Sequence, residues 1–199
     1  MTDVSTLVFL YPFNRFLTYY GVNVKCVRHS ASSNGVTKNK ENMTATELLA
    51  AYAAGERNFS RVDLHGANLR EANLIGVSML RADLNRAVLD VAQLAGATCS
   101  HSNFNKARLL EVDAVGTNFS DCNFQYANLW KANLENVNLN RANLSGSTLQ
   151  DTNLSRSTLV EAILRYIEFV RTNLTDCKMQ NVSLNGSNLD GAIIKYTIW

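Results

Sequence analysis

Residues 126–144 read YANLWKANLENVNLNRANL, and residues 66–74 read GANLREANL. In both stretches a leucine returns every fifth residue, with a small residue two places before it and an Asn between the two. Followed outward, the period holds without a slip from Phe59 to Ile194. Those twenty-eight positions hold eighteen Leu, five Phe, two Met and one each of Ile, Cys and Ala, so none is polar. Trp199 is one further step. The second series runs Val62, Ala67, Ala72 and onward to Ala192, and Ile167 is its one large member. The residue between the series is often Asn or Asp, as at Asn68, Asp83 and Asn128, and the last two places of each five carry most of the charge.

A helix keeps one face apolar with a period near 3.6 and a strand with a period of 2. A period of five suits neither. It needs a chain that turns a corner every five residues, with the large residue pointing inward at the centre of each side and the small one inward near the corner. Asn and Asp suit the turn, because their side chains bond nearby backbone and tolerate unusual dihedrals.

On these motifs the chain resembles the pentapeptide-repeat family, whose motif is A-(D/N)-L-x-x; the match spans roughly residues 57–198. The resemblance implies an all-β fold, a right-handed quadrilateral parallel β-helix with about four pentapeptides per coil. Residues twenty apart would then stack at roughly 4.8 Å, and about seven coils would make a rod on the order of 34 Å long. Three regions follow: a basic non-repeat segment at 1–43, a short N-terminal capping helix at 44–56, and the β-helix at 57–199. In the helix, Thr44 or Thr46 is the expected N-cap, Leu48, Leu49 and Tyr52 the apolar side, and Gly55 the stop. LLAAYAAGERNF resembles the N-terminal cap of cyanobacterial members. At the other end Tyr196 and Trp199 either cover the last coil or leave it as a homodimer interface.

Stacking at twenty makes columns. Leu64, Leu84, Phe104, Phe124, Leu144 and Leu164 form one inner column. Ala114, between Leu94 and Leu134, predicts a locally underfilled core. VEAILRYIEFV (160–170) has helical character but stays in register, so a continued coil is expected, with a local bulge where Ile167 is too large for a corner. Cys99, Cys122 and Cys177 fall on inward positions and read as small buried hydrophobes.

Composition narrows the function. The 199 residues carry 19 basic and 17 acidic side chains, a net charge of +2. Segment 1–43 accounts for +3 and the remainder for −1. This charge disfavours direct nucleic-acid binding and a broad basic face. The four cysteines form no C-x-x-C pair, so neither a zinc site nor a disulfide framework is expected. LVFLYPF (7–13) is too short for a membrane span and makes a poor signal peptide. The polar stretch 30–42 reads as a linker. Met43 precedes the helix directly, so the leading 42 residues have three readings: a start-site artefact, a cleaved targeting sequence, or a docking arm. A cytoplasmic location is expected, with the thylakoid lumen or another organelle as the alternative if the leader is a targeting sequence.

No catalytic, cofactor or metal site is expected. His101 lies one coil from Asp121 and Arg81, near Ser100 and Ser120, but a nucleophile needs a concave, partly dry site and solenoid sides are flat. Glu111, Lys131, Asp151 and Arg171 stack in an outer column of alternating sign. More telling are apolar residues on outward positions of one side: Val88, Val91, Leu110, Trp130 and Val170. They form a candidate partner-binding patch, since exposed apolar clusters mark interfaces and Trp is enriched at hot spots. The function implied is a non-enzymatic scaffold that binds a protein partner. The alternative is a DNA mimic that binds and protects DNA gyrase, which the near-neutral charge disfavours.

Overall fold

The computed structural model describes residues 43–199; the expectations for residues 1–42, Cys26 among them, lie outside the described residues. Within the described part, every fifth residue from Asn58 to Lys178 pairs in parallel with the residue twenty further on, with one exception at Thr148. Twenty residues therefore make one coil and five make one side, so the chain climbs as a four-sided parallel β-helix. Each step is held by two bonds: the Leu64 N–H donates to the Asp83 carbonyl at 2.7 Å, and the Asp83 N–H donates to the Val62 carbonyl at 2.9 Å.

Each corner is a four-residue turn. At the corner from Leu64 to Ala67, the Ala67 N–H donates to the Leu64 carbonyl at 2.9 Å. The residue before each small one takes a left-handed φ, from 52° at Glu111 to 62° at Arg61 among the non-glycines. A type II turn demands a positive φ at its third residue, and an L-residue held there costs about 1–2 kcal/mol. The stacked ladder imposes that conformation even on Val91, at φ 60°.

The paired Asn and Asp residues sit at the middle of each side, on the bridge position, and not in the turn as the sequence suggests. The turn takes their side chains instead: the Arg70 N–H donates to Asn68 Oδ1 at 3.1 Å, and the Trp130 N–H to Asn128 Oδ1 at 3.1 Å. Their amides also bond from coil to coil, with Asn123 Nδ2 donating to Asn103 Oδ1 at 3.3 Å. The small residue opens each side and the large one closes it, so the leucine lies beside the corner.

Both inward series are buried from Val62 to Met179, except half-buried Ala67. Ala114 is fully buried, ten residues from Phe104 and five from Phe119, both also buried. Phe104 stacks on Phe124 at 4.7 Å between centroids, and Phe119 meets both edge-on, at 5.6 and 5.1 Å.

Hydroxyls in the small series share one bond. Thr117, Thr152 and Thr172 donate to the carbonyls of Leu94, Leu129 and Leu149, each at 2.7 Å. Cys122 and Cys177 place thiols in the same slot, on Cys99 O and Leu154 O at 2.9 Å. Burial pushes the Cys122 thiol up to about 12 and Cys177 to about 11, and raises Cys99 as well, so all three stay protonated and inert at neutral pH.

The Ser147 hydroxyl is buried without a partner. Directly above it stands Ile167, buried in a position otherwise filled by small residues. The missing bridge, Thr148 to Glu168, lies beside this pair. The coil continues through 160–170 in register, and the excess volume of Ile167 shows as this gap in the ladder.

Helix α1 spans Ala45–Ala53. Thr44 is its N-cap and Glu47 completes a capping box, with the Glu47 N–H donating to Thr44 Oγ1 at 3.2 Å and the Thr44 N–H to Glu47 Oε2 at 2.9 Å. Gly55 follows it at φ 98°. Leu48 is fully buried in the solenoid core, with Leu49 and Tyr52 packed against it. Tyr52 donates its hydroxyl to the Ile75 carbonyl at 2.9 Å, and the Arg57 guanidinium lies 3.8 Å from its ring centre. At the far end Leu184 and Leu189 are half-buried, and Trp199 is 52% exposed, so the last coil is uncovered among the described residues.

The hydroxyl slots give a direct test. Thr117→Val is expected to cost about 1 kcal/mol in urea unfolding, and Ser147→Ala is expected to cost nothing or to stabilise slightly, since it removes a buried unpaired group.

Candidate functional site

The outward apolar residues sit on the side whose bridge column contains Val88 and on the two turn columns that follow it. Val88 is half-buried on the bridge position between Asn68 and Arg108. Val91 projects from the corner and is 43% exposed. Leu110 and Trp130 are half-buried and stack one coil apart. Val170, also half-buried, is two coils beyond Trp130, with Gln150 between them. The five residues share one side, and Gln150 divides them into a larger and a smaller cluster.

Trp130 is engaged within the chain. Its indole Nε1–H donates to Asp151 Oδ2 at 3.1 Å, and the Lys131 ammonium lies 4.3 Å from the ring centre. Asp151 also takes Arg171 Nη2 at 2.7 Å, and that guanidinium, followed by the Trp130 bond, holds its carboxyl below the usual carboxylate range. The alternating charge column is thus realised, with Lys131 Nζ 3.9 Å from Glu111 at its other end. The ring is fixed by its hydrogen bond to Asp151 and covered on one face by Lys131, and it is half-buried.

The reading of outward positions does not anticipate Asp90. It lies in the same column as Leu110 and Trp130, yet its side chain is buried. Its Oδ2 takes Arg108 Nη2 at 2.7 Å and its Oδ1 accepts the Leu110 N–H at 3.2 Å, with Arg70 at 3.9 Å. The signal was a carboxylate inside an apolar outer column, flanked by two arginines. Asp90 anchors the lower edge of the patch and satisfies the Leu110 N–H, which has no Asn or Asp two residues before it to do so.

The His101 cluster is a surface ladder. His101 Nε2 lies 3.8 Å from Asp121 Oδ2. Asp121 is clasped by Arg141, with Nε at 2.7 Å and Nη2 at 2.8 Å. Ser100 and Ser120 are buried, and Ser100 Oγ meets Asn118 Nδ2 at 3.4 Å. No hydrogen bond links either serine to His101 among the described residues, so no activated nucleophile is assembled there. Among the described residues no group of three His, Cys, Asp or Glu side chains could hold a metal ion, and no helix is long and apolar enough to cross a membrane.

The family model described as pentapeptide repeats matches in eight copies over residues 58–90, 92–123, 102–141, 117–156, 138–176 and 167–197. A search of curated proteins finds no match. Among solved structures, HetL from Nostoc sp. strain PCC 7120, a pentapeptide repeat protein involved in heterocyst differentiation regulation, is 21% identical over 78% of this chain and 94% of its own, with a TM-score of 0.41. The pentapeptide repeat protein alr5209 from Nostoc PCC 7120 is 24% identical over 79% of this chain and 100% of its own, with a TM-score of 0.45. A trypsin-treated variant of QnrB1, a plasmid-mediated fluoroquinolone resistance protein, is 19% identical over 70% of this chain and 86% of its own, with a TM-score of 0.48.

Arg141 lowers the Asp121 carboxyl mainly through their hydrogen bonds. A carboxyl lowered in the folded state adds stability above its unfolded value and loses it as pH falls through the folded one. Stability is therefore expected to hold from neutral pH down to about 5 and to drop below about 4. In Arg141→Gln the Asp121 share of that drop disappears, as read from urea midpoints across the pH series.

Proposed function

Because the chain belongs to the pentapeptide-repeat family, we propose that it is a non-enzymatic scaffold that binds a partner protein on the side of the rod bearing Val88, Val91, Leu110, Trp130 and Val170. The family supplies the right hand of the coil, about seven coils for a repeat of this length, and a capping role for α1 consistent with buried Leu48.

One observation carries the reading: Val91 is a β-branched residue held at φ 60° and 43% exposed. That conformation is costly for valine, and glycine fills the equivalent corner at Gly66, Gly76 and Gly96 without strain. Nothing in the fold requires valine there. An apolar side chain kept at such a cost on the surface, in the turn column next to that of Leu110 and Trp130, is what a partner-binding face would explain. Trp130, fixed by Asp151, adds a preorganised aromatic that loses little freedom on binding.

The uncovered last coil, with Ile194, Ile198 and Trp199 exposed, supports a homodimer through that end. The rod is a poor DNA mimic, since its carboxylates are interleaved with arginines and lysines and several are paired. It is expected not to inhibit gyrase supercoiling at low protein concentration. Nothing in the proposal calls for a cofactor, a metal ion or a membrane, and the cytoplasm remains the proposed location.

Two substitutions test the face. Val91→Gly is expected to raise stability by about 1 kcal/mol while weakening partner capture. Trp130→Ala is expected to leave the fold intact by circular dichroism and to weaken the same complex at least tenfold. Loss of the fold in Trp130→Ala would place the ring in the core and remove the proposal.

A further inference from the structure

The corner just before the Trp130 side differs from the others in composition. Its two turn columns run from His65 and Gly66 to Asn185 and Gly186 and contain no carboxylate. They carry Arg86, Lys106 and Arg165, with Tyr126 and Tyr166. Arg86 and Lys106 are exposed, one coil apart, and enter no ion pair among the described residues. Arg165 Nε donates to Ser183 Oγ at 2.8 Å and has no acidic partner there either. Elsewhere on the rod Arg108, Arg141, Arg156 and Arg171 are each paired with a carboxylate; Arg61 and Arg81 are exposed and enter no ion pair among the described residues, but their column also carries Asp121 and Glu161.

The two tyrosines repeat one device. The Tyr126 ring passes over Gly146, and a Cβ on that glycine would meet ring carbons at 2.8 Å; the Tyr166 ring passes over Gly186, where a Cβ would meet them at 2.6 Å. Each ring thus rests on the coil above it in space that only glycine leaves free. Both remain on the surface, 63% and 72% exposed, about 10 Å apart along the rod. In the bridge columns flanking this corner, the stretch between the ends is amide, hydroxyl and Arg108; Asp83 lies near Arg86 and Glu168 near Tyr166.

We infer that this corner, from Arg86 to Tyr166, is a docking strip for an extended acidic segment of a partner protein. Arg86 and Lys106 take carboxylates at one end, apolar side chains lie on Tyr126 and Tyr166, and Arg165 takes a carboxylate at the other end. Charge complementarity sets the class of ligand: unpaired cations with no acid in their own columns, in line with seated rings. A nucleic-acid strand fits less well. Between Lys106 and Arg165 the strip offers no cation, and affinity for a phosphate backbone scales with the number of phosphates neutralised. The inference shares with the proposed function the premise of an interaction scaffold, but it uses other residues, so the two fail separately.

The test uses the full chain and a fluorescein-labelled synthetic peptide, a run of glutamates followed by two phenylalanines separated by glycine, read by fluorescence anisotropy. Binding is expected to weaken as salt rises. Arg86→Glu with Lys106→Glu is expected to weaken it at least tenfold, and Tyr126→Ala with Tyr166→Ala at least fivefold. Lys178→Glu, on another side of the rod, is expected to leave it within twofold, as is Trp130→Ala. Circular dichroism confirms the fold of each variant, and Lys106→Gln replaces the double reversal if that fails to fold. Absence of peptide binding by the wild type, an unchanged affinity in the charge variants, equal loss in Trp130→Ala, or tighter binding of an oligothymidylate than of the peptide would each overturn the strip.

Discussion

The parallel stacking of residues twenty apart is the constraint from which the rest follows. It joins backbone to backbone along the middle of every side, and so fixes which side chains point inward, where corners fall and which surface residues become neighbours. A left-handed φ on arginine, glutamate, tyrosine or valine would be unstable in an isolated turn. Here each corner is tied through amides on both sides to the coils above and below, and the local cost is offset by the array.

The same constraint explains what was legible in the sequence. Burial obeys the five-residue period because every inward position meets the same geometry, so the core could be read from Leu64 to Met179 without coordinates. The corner fit of Ser, Thr and Cys was legible for the same reason, and so was the misfit of Ile167. The role of the Asn and Asp residues was only half legible. Their bond to the turn follows from local chemistry, but their seat on the bridge depends on where the corner falls within each five, which periodicity alone leaves open.

The surface was less legible because it depends on contacts the column picture does not contain. Trp130 reaches Asp151, twenty-one residues on, so its partner lies in the next column as well as the next coil. Asp90 is buried by arginines from two different columns. The Tyr126–Gly146 and Tyr166–Gly186 pairs read in sequence as unrelated letters, and become one repeated arrangement only when a ring and the space above it are seen together.

The gap between Thr148 and Glu168 reaches beyond one missing bridge. In a stack where each coil touches only its neighbours, cooperativity passes from coil to coil through those contacts. A seam with a gapped ladder and an orphaned hydroxyl is where it weakens. The other sides of the same step stay paired, Asn143 with Ile163 and Asn153 with Asn173, so the seam is one weakened side of an otherwise continuous stack, lying between Trp130 and Val170. A ligand spanning that side from Trp130 to Val170 would bridge the weakened step, and its contacts would add to the coil-to-coil coupling there.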